Sequence, residues 1–124
     1  MKELREYFKN APAITEGKIK SALDEALKKI DKNMLKFSKL FPSSSSDNGI
    51  YSVIENNCGW TTNFWTGQLW LAYELTGDEK YKKCALDHMD SFENRAVNKI
   101  GMNDHDIGFS FTLSTVAGYK VTGD

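Results

Sequence analysis

Cysteine is nearly absent from this chain of 124 residues: Cys58 and Cys84 are the two it has. Two thiols make no disulfide framework, and their spacing is not that of a metal-ligand set. An excess of charge of either sign is missing too. Lys+Arg total 16 against 17 Asp+Glu, a net charge of −1, so no basic field exists to draw in nucleic acid or acidic lipid. A small acidic sugar can still be held by a few local donors. No run approaches the ~18 apolar residues of a membrane span. The opening Met1-Lys2-Glu3-Leu4-Arg5-Glu6 alternates charge with apolar residues and lacks the apolar core of a secretory leader. The expectation is a cytoplasmic protein with reduced thiols and no nucleic-acid or membrane partner. Hydrophobic content of 40% with 27% charged residues is ordinary for a globular domain or a piece of one.

Residues 1–14 read as a polar lead-in whose Tyr7 and Phe8 dock on the body, set apart by Pro12. Thr15 then caps a predicted helix with apolar positions Ile19, Ala22, Leu23, Ala26, Leu27, Ile30 and Met34. That spacing makes one buried stripe, with Lys20, Asp24, Lys28, Asp31 and Lys32 facing water. Pro42 and the serine run to Gly49 read as a loop, and Ile50–Ile54 as a short extended piece that founds no sheet. Thr61 or Thr62 caps a second helix to about Leu75, apolar on almost every side and therefore in need of cover all round. Gly77 suits its left-handed C-cap and Asp78 the next N-cap. A third helix places Tyr81, Cys84, Ala85, His88, Met89 and Phe92 on one stripe. Cys84 and His88 sit four apart on that stripe with no further ligands, so core packing fits them better than a metal.

The tail then repeats. Tyr73 followed by Thr76-Gly77-Asp78 recurs as Tyr119 followed by Thr122-Gly123-Asp124, an offset of 46. The same offset sets Trp60 against Asp106 and Trp65 against Phe111. A period in this range with a helix pair per unit predicts an all-α array or closed toroid, because one pair cannot cover its own apolar helix. By this pattern an outer helix is expected after Asp124, so the chain is expected to stop short of a complete unit.

Two stretches concentrate the polar chemistry. Asn103-Asp104-His105-Asp106-Ile107-Gly108-Phe109 puts two carboxylates and an imidazole ahead of an apolar helix, and Asn57-Cys58-Gly59-Trp60-Thr61-Thr62-Asn63-Phe64-Trp65 is a polar loop feeding an aromatic one. Asp106 can serve simply as an N-cap for the orphan amides that follow, and Trp60, Trp65 and Trp70 can all be core. Of the three, Trp60 lies at the loop-to-helix junction, where an aromatic plane can cover the C–H face of a sugar without hydrogen bonds.

Taken together, Trp60-Thr61-Thr62-Asn63-Phe64-Trp65-Thr66-Gly67, the run Leu69–Asp78 and Asp104-His105-Asp106-Ile107-Gly108-Phe109 closely resemble the unsaturated glucuronyl hydrolases, glycoside hydrolase family 88, over roughly residues 18–124. The resemblance implies an (α/α)6 barrel with its cleft at one mouth of the inner ring. It implies an enzyme without cofactor or metal that removes the 4,5-unsaturated uronic acid from oligosaccharides released by polysaccharide lyases, by hydrating the C4=C5 vinyl ether. On the resemblance, Asp106 matches an active-site aspartate engaging sugar hydroxyls, Trp60 matches the tryptophan against the unsaturated ring, and His105 lies beside them as a substrate contact. Asp104 and His105 then orient or tune Asp106. The family's proton-donating aspartate belongs to a later inner helix and has no counterpart here, so the 124 residues by themselves are expected to be inactive.

These expectations divide the chain into the lead-in, 1–14, and the N-terminal part of an (α/α)6 domain, 15–124. Trp60 and Asp106 should face one cavity, and the isolated chain should be marginally stable or associate with itself through uncovered apolar surface. The alternative is a non-catalytic α/α-repeat module that binds carbohydrate or acts as a scaffold.

Overall fold

The computed structural model describes Lys9 and residues 11–124; the proposed docking of Tyr7 and Phe8 lies outside the described residues. The first helix, α1 (Glu16–Phe37), starts where expected: the Thr15 hydroxyl accepts from the Lys18 amide. Its stripe, however, is only half covered. Leu27, Ile30 and Met34 pack against the core and Phe37 is buried, whereas Ile19 and Leu23 are exposed. The reason is what lies alongside: α1 meets the next helix with its C-terminal half.

The serine run departs from the loop reading. Strands β1 (Phe41–Asp47) and β2 (Ile50–Ile54) form an antiparallel hairpin. Asn48 and Gly49 turn it with φ of 48° and 76°, the positive pair that a two-residue turn between right-twisted strands requires. Phe41 pairs with Ile54 and Pro42 with Val53, then the register shifts before Ser46 meets Tyr51. The Ser43 hydroxyl bridges the irregularity, donating to the Ser45 carbonyl and accepting from the Ser52 amide. Backbone pairing thus holds the serine run where side-chain burial does not. Phe41 anchors one end of the hairpin, with its ring 5.0 Å from the His88 ring and 5.8 Å from Phe92, and its partner Ile54 packs against the core beside it.

Helix α2 (Thr62–Thr76) is the centre of the core, burying Trp65, Leu69, Trp70 and Ala72. Neither threonine hydroxyl caps it: Thr61 makes no side-chain cap bond, and Thr62 Oγ1 is turned to Asn57 Oδ1 and the Gly59 carbonyl. Leu71 and Leu75 stay exposed. With Leu23, Ala26, Leu27 and Ile30 they line an open apolar groove of about 370 Å³ between α1 and α2.

The third predicted helix is two helices, α3 (Glu79–Leu86) and α4 (Met89–Val97). The stripe survives the break, with Tyr81, Cys84, Ala85, His88 and Phe92 all buried. The chain tightens at His88, whose amide bonds the Ala85 carbonyl, while its Nδ1 lies 3.0 Å from the Thr66 hydroxyl of α2. His88 and Cys84 are core groups as expected. Burial pushes the Cys84 thiol up to about 11 and holds the His88 imidazole below its usual value.

The repeat ends on α5 (Ile107–Phe111), a π-helical turn (Thr112–Val116) and α6 (Ala117–Thr122), not on one continuous α-helix. Trp70 explains the interruption. Its indole N–H donates to the Ser114 carbonyl across the helix pair, and its ring occupies the space a side chain on Gly118 would take, 2.9 Å from an added Cβ. Hydroxyls of Thr112, Ser114 and Thr115 donate to the carbonyls of Gly108, Ser110 and Phe111, four residues back, adding side-chain bonds along the widened stretch. Gly67 lets the two inner helices touch: an added Cβ there would lie 3.1 Å from Leu113. The result is an inner layer of α2 beside α5–α6, with α3 packed behind α2 and α4 following it, its Phe92 against Phe41 and Phe111.

Candidate functional site

The two polar stretches lead into neighbouring inner helices. Trp60 stands just before the first turn of α2, 46% exposed, with its ring edge-on to Phe64 at 5.7 Å. Phe64 in turn lies 6.5 Å from Phe109 on α5. This aromatic ladder crosses from the loop before α2 to the loop before α5. Asn63, buried next to Phe64, donates from its amide to the Phe109 carbonyl, which ties the two helix starts together below the ladder.

In the loop before α5 the Asp104 carboxylate accepts from the Asp106 amide at 3.0 Å. His105 spans both acids, with Nδ1 3.2 Å from Asp104 and Nε2 3.6 Å from Asp106. The imidazole is nearly fully exposed, while the Asp106 side chain is 26% exposed. Asp106 occupies the N-cap position of α5 yet makes no side-chain cap bond; its backbone carbonyl alone accepts from Phe109. The capping role therefore does not account for this carboxylate. The three side chains can bring one ligand atom each within 4.8 Å of one another, a compact and mostly solvated polar group.

Between the two helix starts lies an open pocket of about 440 Å³ lined by Phe64, His105, Gly108, Phe109, Thr112 and Leu113. One wall is aromatic and the rim carries the imidazole. The structure brings His105 and Asp106 into direct contact and places Trp60 against Phe64, a lining residue. Trp65 and Trp70 are core, as the sequence suggested: Trp65 donates to the Phe37 carbonyl and Trp70 to that of Ser114.

One residue of this region was not singled out from the sequence. Arg95 of α4 is 1% exposed and sits behind both loops. Its Nη1 donates to Asn57 Oδ1 and the Gly59 carbonyl, its Nη2 to the carbonyls of Cys58 and Gly101, and its Nε to the carbonyl of Ile100. Burial lowers its hold on the proton, but a guanidinium remains charged at any ordinary pH. The available signal was positional: Arg95 falls three residues after Phe92, where the apolar stripe calls for another core residue.

No model of a known protein family matches the chain. Relatives do. The chain is 40% identical over 117 residues to the unsaturated chondroitin disaccharide hydrolase of Streptococcus agalactiae, covering 94% of this chain and 29% of that protein. It is 40% identical over 103 residues to the unsaturated glucuronyl hydrolase of a Bacillus species, covering 83% and 27%. A crystal structure of a variant Streptococcus agalactiae unsaturated glucuronyl hydrolase, complexed with dGlcA-GalNAc6S, superposes with a TM-score of 0.90 at 39% identity, over 96% of this chain and 31% of that one. The chain thus spans less than a third of the length of the relatives it matches. Within that span about 40% of the residues are identical and the backbones superpose closely, and the helix pairs are the N-terminal part of an (α/α)6 barrel: the chain belongs to the unsaturated glucuronyl hydrolase family.

Proposed function

We propose that residues 15–124, after the polar lead-in of 1–14, are the N-terminal part of a glycoside hydrolase domain that removes the 4,5-unsaturated uronic acid from the non-reducing end of lyase-generated oligosaccharides. The observation that carries this reading is the Asp106 carboxylate, left free of helix capping and 3.6 Å from His105, the residue that lines the aromatic-walled pocket from its rim. Trp60 supplies the exposed plane for the apolar face of the ring, and His105 and Asp106 contact its hydroxyls. Hydration of the vinyl ether delivers a proton to C4 and the oxygen of water to C5. The C5 hemiketal then opens to a C5 ketone, leaving a hemiacetal at C1. Collapse of that hemiacetal to an aldehyde breaks the glycosidic C1–O bond and passes its hydroxyl proton to the departing sugar. Positive charge builds at C5 beside the ring oxygen in the transition state, and a carboxylate nearby stabilises it. Asp106 takes that role and orients the ring; the proton comes from an acid elsewhere in the complete domain, so these 124 residues alone are inactive. The source is glycosaminoglycan or a related uronate polysaccharide, and the enzyme works in the cytoplasm. Among the described residues no helix is long and apolar enough to cross a membrane. The isolated fragment self-associates through the α1–α2 groove and its neighbouring leucines.

The 4,5-unsaturated uronate absorbs in the near ultraviolet and loses that band on hydration, which gives a direct assay. In the intact protein, Asp106→Asn keeps the size and removes the charge. Turnover should fall at least ~10²-fold, the usual scale for a lost electrostatic or acid–base group, with KM little changed. An Asn variant that clears the band at the wild-type rate reduces Asp106 to a structural residue. An intact wild-type protein that binds the sugar without clearing the band makes this a carbohydrate-binding module.

A further inference from the structure

We propose that Arg95 is a positioning residue that holds the Trp60 loop and the Asp106 loop in register from behind. The proposal rests on the functional reading of those two loops. Arg95 comes from neither loop; it reaches them from the outer helix α4. Three of its acceptors, Asn57 Oδ1 and the carbonyls of Cys58 and Gly59, lie at 3.2, 3.2 and 2.9 Å on the segment that delivers Trp60. Two others, the carbonyls of Ile100 and Gly101, lie at 3.1 and 3.2 Å on the segment that delivers Asp104, His105 and Asp106.

The contact between the segments is close. Gly101 has φ of 58°, and a Cβ there would lie 2.5 Å from the Cys58 carbonyl oxygen. Two carbonyl-rich turns pressed together repel unless a donor stands between them, and the guanidinium is that donor. Every one of these acceptors is neutral. A buried charge satisfied only by neutral oxygens is a costly way to add stability, but a planar fork of five N–H groups fixes several oxygens at once. Lysine has three donors on one atom and cannot span both turns. The start of α2 is drawn into the same group, because Thr62 Oγ1 shares the Asn57 Oδ1 acceptor with Arg95. The relative placement of an aromatic platform and a carboxylate is thereby set by a side chain that touches neither.

The test uses the intact protein with Arg95→Lys and Arg95→Ala. Amide hydrogen exchange should accelerate at least ~10-fold in segments 57–62 and 100–106 together, with the 65–73 core of α2 unchanged. On an unsaturated disaccharide, kcat should drop ~10²-fold, the scale of an ångström-level misplacement. KM should change by less than ~3-fold, because each loop keeps its own contacts. Guanidinium chloride at millimolar concentration should restore at least ~10-fold of the lost kcat in Arg95→Ala, with potassium chloride inert. Exchange rising in one segment alone or across the whole chain, a missing rescue, or failure of both variants to fold overturns the proposal and makes Arg95 a general core residue. Because exchange is read without substrate, the coupling is decided even if the intact wild-type protein leaves the disaccharide untouched, an outcome that would sink the functional reading separately.

Discussion

In the first copy of the repeat, residues 57–78, the chain reaches its inner helix through Cys58-Gly59-Trp60; in the second, 103–124, it does so through Asp104-His105-Asp106. The last turns of the two copies share their capping bonds. Gly77 and Gly123 adopt φ of 70° and 79°, and their amides bond the carbonyls of Tyr73 and Tyr119. Thr76 and Thr122 donate to the carbonyls four residues back, and accept from the amides of Asp78 and Asp124. The N-terminal halves differ. The Thr66 hydroxyl pairs with Nδ1 of His88 behind it, whereas its counterpart Thr112 turns to the Gly108 carbonyl of its own helix. The first helix is α-helical throughout, and the second is widened by a π turn. Local hydrogen bonding is inherited by both copies, while the working ends are set by whatever packs against each.

That distinction is most sharply broken at position 70 and its counterpart 116. Trp70 is fully buried and bonds Ser114, but Val116 is half exposed. Trp70→Ala should cost ~3–5 kcal/mol of unfolding free energy, as large-to-small core changes do. Val116→Ala should cost under ~1 kcal/mol. Trp70→Phe keeps most of the volume and loses the indole bond, so the π turn should relax and shift Thr112 and Leu113 at the pocket wall. Denaturant melts of the intact protein measure the first pair, and backbone chemical shifts of 110–117 report the last. Equal losses at 70 and 116 would mean that the two inner helices are equivalent after all.

A smaller effect sharpens the same comparison through pH. Burial depresses the His88 pKa in the folded state, with weaker opposing contributions from the Phe37 and Ser38 carbonyls and from Asp87. Between that depressed value and the unfolded value near ~6.5, the unfolded chain binds the extra proton and the folded chain does not. Stability is therefore full above ~6.5 and falls as pH drops below it, by at most ~1.4 kcal/mol per pH unit. His88→Asn should flatten that slope in the stability profile. A wild-type profile level from pH 7 to 5 would show that the Thr66–His88 pair carries no such linkage.

How much of this was legible in the sequence follows the same local rule. Thr15, Gly77 and Asp78 announced their caps because capping is decided within one turn, and the 46-residue offset followed from the second Thr-Gly-Asp. The serine strand was not legible: Ser43–Ser46 has no apolar face, and only the Asn48-Gly49 turn advertised a hairpin. The break at His88 left the burial stripe intact, so periodicity was blind to it. The π turn depends on an indole from another helix, and Arg95 on carbonyls of two loops that no sequence spacing brings together. For the site, the residue types and the two helix starts that carry them were readable. The ladder Trp60–Phe64–Phe109 that links them was a property of packing.

The most direct measurement is a crystal structure of the intact protein carrying Asp106→Asn, bound to a 4,5-unsaturated disaccharide. The unsaturated ring should lie over the Trp60 indole, with a sugar hydroxyl within ~3 Å of the residue 106 side chain and His105 at the rim. A sugar seated instead in the α1–α2 groove, or anywhere that leaves Trp60 and residue 106 untouched, would contradict the assignment of both loops to one substrate site.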